Sequence, residues 1–202
     1  MGFVHMRLPM QGEVTGYRRQ LELSRAVTTT KFVHNGITYT RETFASHPGR
    51  ALVMRLQADK KNAISFTATL NSLLRHQVLA DKNVLRLVGR APLHADGHYL
   101  LTNNVQYDET GNEGIGFEIQ LKAIGEGGNV VITDRGIEVK NCTSVTLIIV
   151  SATSYNGYNK SPSREGKDAH ALCNEYMRHA TRTSYQRLLQ AHVDDFRSLF
   201  DR

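Results

Sequence analysis

The sequence predicts a mainly β protein that ends in a pair of helices. From Tyr17 to about Ala152 the dominant hydrophobic period is two, and turn residues recur at short intervals, as an antiparallel β domain requires. After Lys167 the period becomes helical, with apolar residues three and four positions apart up to Phe200. Residues 1–16 show no clear pattern.

The first strands are predicted around a hairpin. Two threonine-rich, β-branched runs meet at Asn35 and Gly36, where both residues tolerate the positive φ of a tight turn. The runs ALVMRLQA and ISFTATL follow, each alternating apolar and other side chains, and predict two further strands of a meander.

The second half of the β region contains the most apolar strand. IGFEIQLKA alternates so that Glu118 and Gln120 are expected to face water, as in a half-buried strand. VVIT and GIEVK predict two short strands, and VTLIIV predicts a central strand buried on both faces. Two helices follow, one at about 168–179 and one for which Thr183 and Gln186 are expected to form a capping box.

Composition and charge narrow the classes of function. The formal net charge is +6, but the basic residues are scattered and accompany no recognition motif, so no nucleic-acid partner is expected. The longest apolar run is far shorter than the roughly 20 residues of a membrane-spanning helix, so no membrane partner is expected. Cys142 and Cys173 are interpreted as free, small apolar residues.

Motifs for catalysis or metal binding do not occur in the sequence. There is no GxSxG, HExxH, P-loop or CxxC pattern, and no cofactor is expected. His94 and His98 are four residues apart, but Asp96 and Gly97 between them break a helix, which favours loop histidines over a zinc site. Glu42 and Glu118 are interpreted as solvent-facing strand residues, and no catalytic residue is predicted.

Two polar loops are the candidate contact regions. The stretch SATSYNGYNKSP follows the most apolar strand and offers rings and amides suited to a sugar or a neighbouring domain, although a simple turn at Asn156 and Gly157 is the alternative. The long aperiodic stretch at 91–114 is the second. The candidates for a substrate rim or a domain interface are Tyr155, Asn156, Tyr158, Lys160, His94, His98 and Tyr99.

Several stretches, taken in order, resemble one known family. They are YRRQLELSRAV, NGITYTRETFASHP, ALVMRLQADK, ISFTATL, LVGRAPLHADGHY, VQYDETGNEGIGFE, VTLIIVSATSYNGYNKSP and YQRLLQAHVDDFRSLFDR. Together they resemble the N-terminal β domain and linker of glycoside hydrolase family 95, the inverting α-L-fucosidases. The resemblance runs from about Tyr17 to Arg202.

The resemblance implies an antiparallel β super-sandwich of galactose-mutarotase-like fold, linker helices and an (α/α)6 barrel that carries the catalytic residues. Residues 1–16 are then an N-terminal segment, residues 17–162 the sandwich, and residues 163–202 a linker toward a barrel that this chain does not contain. We expect a non-catalytic domain that supports the barrel in hydrolysis of α-L-fucosyl linkages. The family's further N-terminal strands have no counterpart before Tyr17, so exposed strand edges and a homodimer through them are expected.

Two other functions stay open at this stage. One is a stand-alone carbohydrate-binding module that uses Tyr155, Tyr158 and the loop at 94–99. The other is an interaction domain that uses the apolar last helix. The sequence leaves sugar, linkage and compartment open, although the resemblance implies a parent enzyme that acts in the periplasm or is secreted.

Overall fold

Two antiparallel sheets packed face to face, followed by two helices, form the structure, as predicted. The computed structural model describes residues 1–100, 102, 104–110 and 113–202, without the side chain of His98. The larger sheet contains, in spatial order, β2 (Val14–Glu22), β3 (Val27–His34), β4 (Ile37–Ser46), β5 (Ala51–Ala58), β14 (Ser144–Thr153), β11 (Gly116–Glu126), β8 (Val84–Arg90) and β7 (His76–Asp81). The smaller sheet contains β1 (Phe3–Arg7), β6 (Ile64–Asn71), β13 (Gly136–Cys142) and β12 (Asn129–Thr133).

The main core lies between the two sheets. Leu85, Leu87 and Leu121 of the large sheet are fully buried there with Ile137 and Val139 of the small sheet. The alternation that predicted these strands places one apolar face of each sheet inward. Because the large sheet has eight strands and the small sheet four, part of the inner face of the large sheet extends beyond its cover.

A second core lies on the outer face of the large sheet, beneath the helices α1 (Ala169–Arg182) and α2 (Tyr185–Phe200). Ile148 and Val150 of β14 pack outward with Cys173 and Met177 of α1, while Leu147 packs inward. This double covering explains why VTLIIV is apolar on both faces, with Thr146 as its one polar residue, and the predicted central strand is confirmed.

The turn residues alone were sufficient to predict the hairpin at residues 34–37, which the structure contains. Asn35 and Gly36 have φ of 50° and 73°, and they join β3 to β4 in register from His34 and Ile37 onward. Residues 1–16, which carry no clear sequence pattern, contain β1 and the start of β2. Neither helix is long and apolar enough to cross a membrane within the described part of the chain.

Two local expectations were wrong. The N-cap of α2 is Ser184, whose side chain accepts a hydrogen bond from the Arg187 backbone N–H, while Thr183 is the C-cap of α1. Glu118 and Gln120 do not face water, because α1 covers the outer face of β11. The alternation of β11 was read correctly, but both of its faces are buried.

The long stretch before β11 contains short elements of its own. β9 (His94–Ala95) pairs with β10 (Val105–Gln106), and a single 3₁₀ turn at His98–Leu100 lies between them. This small hairpin stands apart from the two large sheets.

Candidate functional site

A cluster of polar side chains, centred on the buried residues Glu118 and Gln120, joins α1 to the outer face of the large sheet. Glu118 accepts two hydrogen bonds from Arg86, Nε to Oε1 at 2.9 Å and Nη2 to Oε2 at 3.0 Å. Gln120 Nε2 donates to Glu118 Oε1 at 2.8 Å and to Asn174 Oδ1 at 2.9 Å. His170 Nδ1 lies 3.1 Å from Glu118 Oε1, and these five residues are called the Glu118 cluster below.

The protonation state of the Glu118 cluster follows from its hydrogen bonds. Burial alone would raise the pKa of Glu118, but the donors on Arg86, Gln120 and His170 outweigh it and hold this pKa below its ordinary value. Asn174 Nδ2 donates to His170 Nε2 at 3.0 Å, which leaves Nδ1 as the His170 donor toward Glu118. Glu118 is therefore ionised, and hydrogen bonds occupy both of its carboxylate oxygens. A general acid would instead need a proton to donate and access to the substrate.

The register between β11 and β14 explains the position of the Glu118 cluster. Glu118 and Gln120 of β11 are opposite Ala152 and Val150 of β14, and these outer positions are covered by α1. The apolar run Leu147 to Val150 in β14 was the sequence signal for that cover. The sequence analysis did not extend this cover to β11. A helix that covers the outer face of β14 also covers the outer face of the strand beside it, which buries Glu118 and Gln120.

A second polar cluster lies under α2. Arg55 of β5 donates from Nη1 to Thr146 Oγ1 at 2.9 Å, and from Nη2 to Ser144 Oγ at 3.0 Å and Glu126 Oε1 at 2.8 Å. Its guanidinium lies 5.1 Å from the ring centroid of Tyr185, the first residue of α2. Arg55 therefore links the start of α2 to β14 and β11.

Tyr185 and Glu42 complete this second attachment. The Tyr185 hydroxyl donates to Glu42 Oε2 at 2.9 Å, and burial together with the Glu42 charge raises the pKa of Tyr185. Glu42, expected to face solvent, is thus a helix anchor. Throughout the described residues, every buried side-chain nitrogen and oxygen has a hydrogen-bond partner, so both helices are held in one defined orientation.

The two candidate loops leave the same end of the large sheet. Arg90 ends β8, Gly116 begins β11 and Thr153 ends β14, and the register places Arg90 and Thr153 beside Gly116 and Phe117. The loops are also bonded at their bases. Ser163 Oγ donates to the Gly114 carbonyl at 3.0 Å, and Arg90 Nη1 donates to the Gly114 carbonyl and to Ser163 Oγ.

The predicted contact residues of the first loop are mostly exposed. Tyr155 and Tyr158 are 52% and 95% exposed. Asn156 Nδ2 donates to the Glu165 carbonyl at 2.7 Å, so its amide holds the loop itself together, and Lys160 is exposed. Gly157 has a positive φ of 113°, and the turn itself lies at Tyr158 and Asn159.

In the second loop, too, some predicted contact residues are exposed and others are bonded within the loop. Tyr99 is 76% exposed. His94 Nε2 lies 2.7 Å from Asp96 Oδ1, and the hydrogen bonds from Thr102 and His94 hold the pKa of Asp96 below its usual range. The His98 side chain lies outside the described residues, so its predicted role stays a prediction. In the part of the chain that the structure describes, no three His, Cys, Asp or Glu side chains converge as metal ligands would.

Comparison with known proteins gives a consistent result. Residues 1–158 match the family described as glycosyl hydrolase family 65, N-terminal domain. Alpha-L-fucosidase 2 of Arabidopsis thaliana is 24% identical over 195 residues, which are 92% of this chain and 23% of that protein. A putative kojibiose phosphorylase from the human microbiome has a TM-score of 0.60 at 12% identity, over 96% of this chain and 24% of that chain, which is a likeness of fold.

These findings confirm the resemblance noted from the sequence, to the N-terminal β domain of an α-L-fucosidase-like glycoside hydrolase. The matching family carries the number 65, whereas the sequence stretches resemble family 95, and both are N-terminal domains of glycoside hydrolases. The chain spans about a quarter of the length of these two relatives. This chain belongs to the glycosyl hydrolase family 65 N-terminal domain family.

Proposed function

We propose that this chain is the non-catalytic N-terminal domain of an α-L-fucosidase-like glycoside hydrolase. In this proposal it supports an (α/α)6 catalytic barrel during hydrolysis of α-L-fucosyl linkages in glycans. The relative named Alpha-L-fucosidase 2 supports the choice of linkage. The match to a glycosidase N-terminal domain favours a role in which this domain supports the catalytic barrel.

The observation that carries this proposal is the anchoring of the two helices. The Glu118 cluster holds α1 and the Arg55 contacts hold α2, and the residues at the centre of each set, Glu118 and Arg55, are buried and hydrogen-bonded. A helix pair that is fixed on one sheet face presents its other face in a constant orientation. Such a pair suits a domain whose role is to position a neighbour.

The carboxylates beneath the two helices support a non-catalytic role. A glycosidase acid needs a raised pKa, and an open approach to the glycosidic oxygen. Glu118 has a lowered pKa and no free acceptor position, and Glu126 is held low by Ser144 and Arg55. These two residues are helix and strand anchors in this proposal.

Carbohydrate binding is the second candidate function, and one observation favours it. Tyr155, Tyr158 and Tyr99 are more than half exposed on loops that leave one end of the sheet. Aromatic rings that stay exposed on polar loops are typical of sugar-contacting surfaces. In the leading proposal the same rings form the domain interface or the rim of the sugar site.

A homodimer through exposed strand edges is part of the proposal for partners. β2 lies at one end of the large sheet and is exposed along nearly its whole length. An unblocked edge of this kind can pair with the same edge of another copy. Light scattering over a range of concentrations tests it, and a monomer mass at every concentration would contradict it.

The proposed function is tested with the purified 202-residue chain. An aryl α-L-fucoside and a fucosyl-lactose are offered as substrates, and L-fucose binding is followed by NMR in the same sample. We expect no hydrolysis and no fucose-dependent shift. Fucose binding that is lost in Tyr158→Ala would favour the carbohydrate-binding module instead, and hydrolysis would overturn the non-catalytic assignment.

A further inference from the structure

We propose that a groove between α1 and the turn from β4 to β5 binds an acidic oligosaccharide, whose sugar units carry carboxylate or sulfate groups. The groove, called the basic groove below, has a volume of about 560 Å³ and shares no residue with the two polar loops. The inference goes beyond the proposed function, because it assigns a second binding surface. The choice of a sugar as the carrier of the charges rests on the proposed function, whereas the preference for an anion does not.

One wall of the basic groove is a turn of fixed shape. The Arg50 N–H donates to the His47 carbonyl at 3.1 Å, and the Gly49 N–H donates to Ser46 Oγ at 3.0 Å. Gly49 is buried, and a Cβ there would lie only 3.2 Å from the Leu188 side chain of α2. Arg50 therefore leaves the turn from one defined backbone position, and its side chain is exposed.

Arg50 occupies a backbone position at which a smaller residue is usual. Its φ is 50°, in the left-handed region that glycine and asparagine adopt most easily. Residues held in this region are concentrated at binding and active sites. The Arg50 guanidinium lies 5.7 Å from the ring centroid of Tyr176, so it extends from the turn toward α1.

The opposite wall is one face of α1. Arg178 and Arg182 both line the groove, and because they are four residues apart they lie about one helical turn from each other. A basic residue in the last turn also suits the negative end of the helix dipole, which accounts in part for Arg182. The dipole does not account for Arg50, because that residue comes from the sheet.

The three arginines of the basic groove have no acidic partner. Within the part of the chain that the structure describes, no carboxylate lies in ion-pair contact with Arg50, Arg178 or Arg182. Glu175 is the one acid that lines the groove, and it pairs with none of them. By contrast, Arg86 is fully engaged with Glu118. Three guanidinium groups beside one carboxylate leave an excess of positive charge that an anion would neutralise.

The lining of the groove favours several oxyanions on a chain of sugar rings. Guanidinium groups bind oxyanions through paired hydrogen bonds, and three of them on two walls suit more than one anionic group. Pro48, Leu172 and Tyr176 add apolar surface that suits the C–H face of a sugar ring. A single-stranded nucleic acid is less suited, because its bases stack on successive aromatic rings and Tyr176 is the one ring in the lining.

The experiment titrates the full chain with defined probes in a calorimeter. Tetragalacturonate carries carboxylates and a heparin tetrasaccharide carries sulfates, while a neutral galactose tetrasaccharide and citrate are the controls. We expect saturable one-to-one binding of at least one acidic tetrasaccharide, and at least about tenfold weaker binding of both controls. The tighter acidic probe identifies the group that is recognised, and its binding should weaken as the ionic strength rises from about 0.02 to about 0.2 M.

Matched variants locate the site. Arg50→Asn removes the charge but keeps a residue that tolerates positive φ, and it should weaken binding about threefold or more. Lys82→Asn makes the same change in the turn from β7 to β8, where φ is 54°, and should leave binding unchanged. Arg182→Gln and Arg187→Gln are a second pair, because Arg187 is exposed on α2 outside the groove.

Several outcomes would overturn the proposal. Equal losses within either pair of variants would attribute binding to the net charge of +6. No binding of either acidic probe at millimolar concentration, equal binding of the neutral tetrasaccharide or citrate, or tighter binding of a tetranucleotide would each exclude an acidic oligosaccharide site. None of these results changes the hydrolysis test of the proposed function, so the two proposals can fail separately.

Discussion

Arg86 and Glu118 form a two-point ion pair beneath α1, with donor–acceptor distances of 2.9 and 3.0 Å. The carboxylate is 2% exposed, so water cannot replace the guanidinium if it is removed. A third contact, from His170 on α1, makes this pair part of the attachment of the helix. The pair therefore couples the stability of the sheet to the docking of α1.

Arg86→Met is expected to destabilise the chain strongly. The variant keeps most of the side-chain volume but leaves the Glu118 charge buried without its main partner, which costs about 3–5 kcal/mol. Urea unfolding followed by circular dichroism measures the loss. Arg75→Met is the control, because Arg75 and Glu109 form an exposed pair and the change should cost less than about 1 kcal/mol.

The double variant Arg86→Met with Glu118→Met separates charge from packing. If the unpaired charge causes the loss, removing both charges should restore most of the stability of the single variant. A double variant as unstable as Arg86→Met alone would attribute the effect to packing and contradict the role given to the pair.

Stability should fall in acid because of Glu118. Its pKa in the folded chain is lowered below the ordinary value of about 4.3, so the unfolded chain takes up the proton first as the pH falls. The stabilisation is fully present above that value and is lost as the pH falls through the lower, folded pKa. Unfolding free energies measured between neutral and acidic pH should therefore decrease more steeply for the natural chain than for Glu118→Gln.

The control for the pH dependence is Glu109→Gln, at an exposed position. It should follow the natural chain in its slope. Parallel curves for the natural chain and Glu118→Gln would show that another group governs acid unfolding.

Ser184→Ala should remove the cap of α2. The Ser184 side chain accepts from the Arg187 backbone N–H, so its loss leaves a helix-end donor without a partner and costs about 1 kcal/mol. Thr183→Ala, one residue earlier, should stay within about 0.5 kcal/mol, because Thr183 donates only to the exposed His179 carbonyl. Thermal or urea unfolding compares the two, and a larger loss for Thr183→Ala would restore the cap expected from the sequence.

Gly128→Ala should destabilise the chain more than Gly36→Ala. Both glycines have positive φ, 61° and 73°, so both substitutions carry the strain of the left-handed region, about 1 kcal/mol. A Cβ at Gly128 would also meet the backbone carbonyl of Lys140, whereas nothing lies near a Cβ at Gly36. We expect a difference of about 2 kcal/mol in unfolding free energy, and equal losses would mean that the turn at 127–128 moves to admit the methyl group.

The sequence predicted the mainly β fold and both helices. It also predicted the hairpin at Asn35 and Gly36 and the central strand at 145–150. Each depends on a local signal, which is a period of two, a turn dipeptide, a largely apolar run or a period of 3.6. β1 was not predicted, because the alternation of Val4 and Met6 within five residues is too short to identify a strand from the sequence. Tyr99, Tyr155 and Tyr158 are exposed, and the contacts predicted for them remain a proposal.

The sequence by itself determined most of the long strands and both helices, since hydrophobic period and turn chemistry act over a few neighbouring positions. Only the tertiary structure decided what covers the outer face of the large sheet. The alternation in IGFEIQLKA assigns Glu118 to the face opposite the core, but period alone cannot state whether water or a helix 50 residues later lies on that face. The same reason holds for Arg55 and for the basic groove, because both depend on where distant segments pack.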